Sequence, residues 1–110
     1  MNTKTDLIGA RVCGFMETIE EPWPEKTLIT GRKGLGGRRA FSISNKADRM
    51  DVVEALAKRH GIGICGDGKG RCFLWYENEQ KHVGDYADSE EATRAALEPL
   101  ANVYLKEGEG

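Results

Sequence analysis

Residues 44–77 read SNKADRMDVVEALAKRHGIGICGDGKGRCFLWYE, one amphipathic helix followed by one β-hairpin. Ser44 or Asn45 supplies a short side-chain oxygen to cap a free N–H of the first turn. Asp48 stands three residues after Asn45, where a carboxylate meets the positive end of the helix dipole. Met50, Val53 and Ala57 recur at helical spacing, and Val52 and Leu56 widen the stripe. Asp48, Arg49, Asp51, Glu54 and Lys58 take the opposite face, with Glu54 and Lys58 as an i, i+4 pair in the favourable order. Gly61 follows Arg59 and His60 as a ready C-terminal stop. These signals predict a helix over 45–60.

The hairpin begins at once. Ile62 and Ile64 flank Gly63, and GDGKG at 66–70 has the composition of a turn, Asp-Gly being a strong hairpin dipeptide. Cys72 to Tyr76 is an unbroken run of strand-favouring residues. A strand this apolar predicts little solvent on either face, hence helices on both sides of its sheet.

Working outward, Thr5 to Cys13 carries a partial stripe of Leu7, Ile8 and Val12, with Gly14 as a stop. Gly9 inside it either weakens the helix or permits a close approach. Phe15, Met16 and Ile19 open a strand, and Pro22 and Pro24 around Trp23 form a connector. TLIT at 27–30 and RAFSI at 39–43 have strand character. Between them lies GRKGLGGR, half glycine with three basic residues, either a long hairpin tip or a mobile loop over 31–38. After the hairpin, 77–80 is a polar turn and Lys81 to Ala87 one more strand. Asp88 starts a third helix with Glu91 as capping-box partner. Ala92, Ala95, Ala96, Leu100, Val103 and Tyr104 make its apolar face. Pro99 removes the hydrogen bond to Ala95 and kinks or splits that helix. Residues 105–110 form a frayed tail. The class expected is α+β: an antiparallel sheet of three to five strands with helices packed on it, a helix-sheet-helix sandwich in a single domain over 1–110.

Composition bounds the function. The 110 residues suit one core. No apolar run approaches the roughly 18 residues of a membrane span, and MNTKTDLIGARV lacks the apolar stretch of a signal peptide. Three cysteines at irregular spacing suit a reducing compartment. A cytoplasmic protein with no membrane partner is expected. Residues 1–76 hold 13 basic and 9 acidic groups, and residues 77–110 hold 3 and 9. That asymmetry can orient a partner electrostatically.

The pattern resembles the phage ABA sandwich domain family of small tailed-phage accessory proteins. LIGARVCGF at Leu7 to Phe15 is similar to that family's opening helix, and FSISNKADRMDVVEAL at Phe41 to Leu56 to its entry into an amphipathic helix. GKGRCFLWY at Gly68 to Tyr76 resembles its glycine turn and cysteine-aromatic strand. ADSEEATRAALEPL at Ala87 to Leu100 resembles its small-residue helix. The basic glycine loop and Pro99 depart from the family pattern. The resemblance implies helices on both sides of an antiparallel sheet and a host-cell setting, and it carries over no catalytic residues.

No stretch meets the requirements of an active site. GICGDGKG at 63–70 nearly fits the phosphate-binding loop, but Gly70 replaces the hydroxyl residue and a strand follows where a helix is needed. Cys13, His60, Cys65, Cys72 and His82 lack paired zinc-ligand spacing, although Cys65 and Cys72 flank one turn. His82 and Asp85 are the nearest thing to a catalytic pair and read as a polar edge. No enzyme activity, cofactor or metal is expected. The candidate site is the basic cluster Arg32, Lys33, Arg38 and Arg39. It suits phosphates or, through bidentate pairs, an acidic protein groove. Two readings follow: a phage accessory protein that binds a host protein, in its sharpest form an anti-CRISPR type inhibitor of a host defence complex, or a nucleic-acid-binding module.

Overall fold

The computed structural model describes residues 3–25, 27–66, 72–76 and 81–105, with backbone alone at 73 and 81–85. The chain is α+β, with helices packed on antiparallel sheet. Its elements are α1 (Thr3–Val12), β1 (Met16–Pro22), β2 (Thr27–Arg32), β3 (Arg38–Phe41), α2 (Lys46–His60), β4 (Ile62–Gly66), β5 (Cys72–Tyr76), β6 (Lys81–Tyr86) and α3 (Ser89–Leu97). A short 3-10 turn (Glu98–Leu100) and one last helical turn, α4 (Ala101–Tyr104), complete it. The strands divide into two three-stranded sheets, β1-β2-β3 and β4-β5-β6, each joined by antiparallel neighbours.

The helix ends follow their local chemistry. Asn45 caps α2, its side chain accepting from the Asp48 N–H at 3.1 Å. Gly61 ends it in the left-handed conformation at φ 65°, its N–H donating to the Leu56 carbonyl. Asp88 caps α3 by accepting from the Glu91 N–H at 2.9 Å, and the Glu91 carboxylate reaches back to the Ala87 N–H at 3.3 Å. Pro99 does split the third helix: α3 stops at Leu97 and Pro99 sits in the 3-10 turn before α4.

The phase of α2 differs from the sequence reading by one step. Its buried residues are Asp48, Val52 and Leu56, while Met50 and Ala57 face solvent. The cause is Asp48. Its carboxylate accepts from Arg39 Nη1 at 3.0 Å and from the Ser42 N–H at 3.2 Å. A buried carboxylate with two donors is tolerated where an unpaired one is not. Those bonds let Asp48 sit inward beside Val52 and Leu56, which the apolar stripe already included.

α1 packs on the first sheet, α2 and α3 on the second, and α1 meets α2 and α3 between them. One core runs through all layers, from Ile8 and Val12 through Phe41, Val52 and Leu56 to Leu74 and Leu97. Gly9 is there because side chains crowd it: a Cβ would stand 3.1 Å from Ile43 Cδ1 and 3.2 Å from Phe41 Cε1. An ionic knot locks the helices together. Asp6 accepts from Arg94 Nη1 and from the Ile43 N–H, both at 3.0 Å, and Arg94 also reaches Glu90 at 3.1 Å.

In the second sheet, Ile62, Ile64, Cys72, Leu74 and Tyr76 turn toward this core. The opposite face does not. Cys65 is exposed and Trp75 is 37% exposed. The expected cover on both faces of the hairpin is therefore absent at these residues: alternation puts Leu74 under α3 and Trp75 in solvent.

Candidate partner-binding surface

The first sheet carries the four basic residues singled out in the sequence. β2 and β3 are antiparallel, with Arg32 opposite Arg38 and Gly31 opposite Arg39. Gly31, Arg32 and Arg38 belong to strands, so the tip of the hairpin is residues 33–37, turning through Gly34 at φ 65°. Strand alternation then separates the four cations. Arg32 and Arg38 lie on the outer face. Arg39 lies on the inner one, bound to Asp48 and stacked over the Phe15 ring at 4.8 Å. Lys33 Nζ sits 5.8 Å from the same ring centre.

Glu17 organises the outer face. β1 bulges between Met16 and Ile19, and Glu17 within the bulge has φ 54°. A non-glycine residue there is strained, and such strain gathers at sites where a side chain must be re-aimed. Glu17 Oε1 meets Arg32 Nη1 at 3.3 Å and Arg38 Nη1 at 3.9 Å. Arg38 Nη2 donates to the Glu17 carbonyl at 2.7 Å and to Thr30 Oγ1 at 3.1 Å. Thr30 Oγ1 in turn donates to Glu21 Oε2 at 2.7 Å. Three of the four cations thus have a carboxylate within the chain, and Lys33 has none among the described residues.

Apolar side chains interleave with these charges. Met16 is 58% exposed, Ile19 is exposed, and Leu35 stands wholly in solvent at the tip. Met16, Glu17, Arg32 and Gly34 line a hollow of about 170 Å³. Sequence reasoning found the cations and missed Met16, Glu17, Ile19 and Leu35. The available signal was Leu35, an isolated leucine amid glycine and charge.

Behind the hairpin, Cys13, Lys33, Asp51, Glu54, Lys58 and Arg59 line a cleft of about 290 Å³. Burial pushes the Cys13 thiol up to about 11, more than the nearby Lys33 ammonium offsets, so the thiol is protonated and unreactive at neutral pH. A smaller hollow of about 210 Å³ lies against Trp23, Pro24, Glu25 and Leu28.

The sequence's other candidates are dispersed. β4 leads by antiparallel pairing into strand β5, so the near-match to a phosphate loop lacks its helix; residues 67–71 themselves lie outside the described ones. Cys65 pairs with 73 and Cys72 with 66, which sends the two thiols to opposite faces. His60 contacts the Tyr104 hydroxyl at 2.7 Å. The side chains of His82 and Asp85 are outside the described residues, as is the tail at 106–110. Among the described residues no group of three or more His, Cys, Asp or Glu side chains is gathered to hold a metal, and no helix is long and apolar enough to cross a membrane.

What the geometry defines is a small α+β domain with a mixed apolar and charged sheet face. Protein-family models, curated proteins and solved structures give no match to this chain.

Proposed function

We propose that this domain works by binding another protein through the outer face and tip of its first sheet. The observation that carries the reading is the pairing of Arg32 and Arg38 with Glu17, and of Arg39 with Asp48, beside exposed Met16, Ile19 and Leu35. Single-strand sites combine a positively charged groove with aromatic platforms for bases, and a carboxylate beside each cation cancels part of the attraction that holds a phosphate backbone. Here the carboxylates are built in. Protein interfaces favour arginine and methionine and fix register through charge pairs. The sequence resemblance to phage accessory domains supports a host protein as the partner, and inhibition of a host defence complex as the specific form of the activity.

The competing reading is nucleic-acid binding by the same four cations. Fluorescence anisotropy with labelled duplex and single strands, titrated across salt, separates them. Our reading expects no saturable binding at moderate salt. Tight binding with a log–log salt slope near −3.6, the value for about four phosphate contacts at about 0.9 each, overturns it.

A further inference from the structure

We propose that β4 is a self-association edge, and that two copies of this chain join by antiparallel β4–β4 pairing into one continuous six-stranded sheet. Each three-stranded sheet has two edges, and three of the four edge strands carry the devices that discourage pairing. β1 has its bulge at Glu17 and ends at Pro22. β3 presents Arg38 and Arg39, and β6 reads KHVGDY. β4 reads IGICG, with no charge, no proline and no bulge. Among the described residues its one strand neighbour is β5.

Self-pairing rather than capture of a foreign strand follows from the residue pattern. An antiparallel pair centred on Ile64 sets Ile62 against Gly66 of the second copy and Cys65 against its Gly63. Large thus faces small at the two outer pairs, which recur by symmetry, and Ile64 meets its own copy at the two-fold axis as an apolar pair. Among the described residues nothing requires glycine at 63. Its φ is not positive, and a Cβ would come no closer than 3.8 Å to the Trp75 carbonyl, an ordinary contact. Glycine weakens a strand unless another group approaches it; the second copy supplies that group.

The inference is independent of the proposed partner surface, which lies on the other sheet. Its test is sedimentation of the reduced protein over a concentration series. The expected apparent mass climbs toward twice the 12.1 kDa of one chain. Cys65→Lys, at an exposed position, is expected to hold the mass at one chain, with a thermal melt that matches wild type at dilutions where both are one chain. A short bis-maleimide is expected to join Cys65 to its copy, since diagonal positions lie about 7–8 Å apart. A wild type that stays at one chain mass up to millimolar concentration overturns the proposal. So does a dimer that survives Cys65→Lys or that the reagent fails to bridge.

Discussion

Arg39→Ala is expected to destabilise the fold, although its side chain is half exposed and it adjoins the glycine-rich stretch over 31–38. Asp48 has a side chain only 10% exposed, and Arg39 meets it at 3.0 Å while itself 49% exposed. Breaking a fully buried pair costs about 3–5 kcal/mol, and an exposed one contributes under about 1 kcal/mol. This pair lies between those limits. The Ser42 N–H still bonds Asp48 after truncation, so the loss is one charge-assisted hydrogen bond plus the stacking on Phe15. That sums to about 2 kcal/mol. At about 4 °C per kcal/mol for a domain of this size, the melting midpoint drops by about 8 °C. Denaturant unfolding of Arg39→Ala and Arg32→Ala side by side is the assay. Among the described residues Arg32 bonds only exposed Glu17, so its truncation is expected to stay within about 0.5 kcal/mol of wild type. Adding Asp48→Asn to Arg39→Ala removes the stranded charge and is expected to recover part of the loss. Equal midpoints for the two single variants refute the assignment of Asp48 as the buried anchor.

Gly9→Val is expected to cost about 2–3 kcal/mol in thermal unfolding, because its Cβ alone already crowds Ile43, Phe41 and Leu97 at 3.1–3.3 Å. Asp88→Ala is expected to cost about 1 kcal/mol by uncapping α3, read by denaturant midpoint. The Cys13 thiol has a raised folded-state pKa, so its stabilisation is complete below the unfolded value of 9 and is lost as pH rises through about 11. Thermal melts are expected to fall across that window, and to fall less in Cys13→Ala. At pH 8 exposed Cys65 is expected to be alkylated well before Cys13, as peptide mapping reads it.

Local chemistry was legible in the sequence, and long-range pairing was not. The Asn45 and Asp88 caps, the Gly61 stop and the break at Pro99 each depend on residues within one or two turns, and each is where the sequence places it. The inward face of α2 depends on Arg39, nine residues before Asp48 and on a strand. A carboxylate in a helical pattern reads as solvent-facing unless its partner is known. The division into two sheets rests on which strands pair, and strand character at 16–22, 27–32 and 38–41 does not specify this. The four cations were found as a cluster, but assigning 31–32 and 38 to a loop hid the alternation that sends Arg39 inward. Met16 carries no periodic signal, so its exposure emerged only with the fold.

The central claim is that the outer face of the first sheet is what a protein partner grips. Affinity capture from host cells with tagged wild type, Leu35→Asp and Trp75→Ser tests it most directly, with partners quantified by mass spectrometry. Leu35 stands wholly in solvent at the hairpin tip, and Trp75 lies on the face of the other sheet turned away from the core; thermal melts first check that both variants are folded. The account predicts one protein recovered in stoichiometric amount with wild type and Trp75→Ser and lost with Leu35→Asp. Recovery of that protein undiminished with Leu35→Asp, or its loss with Trp75→Ser instead, contradicts the account.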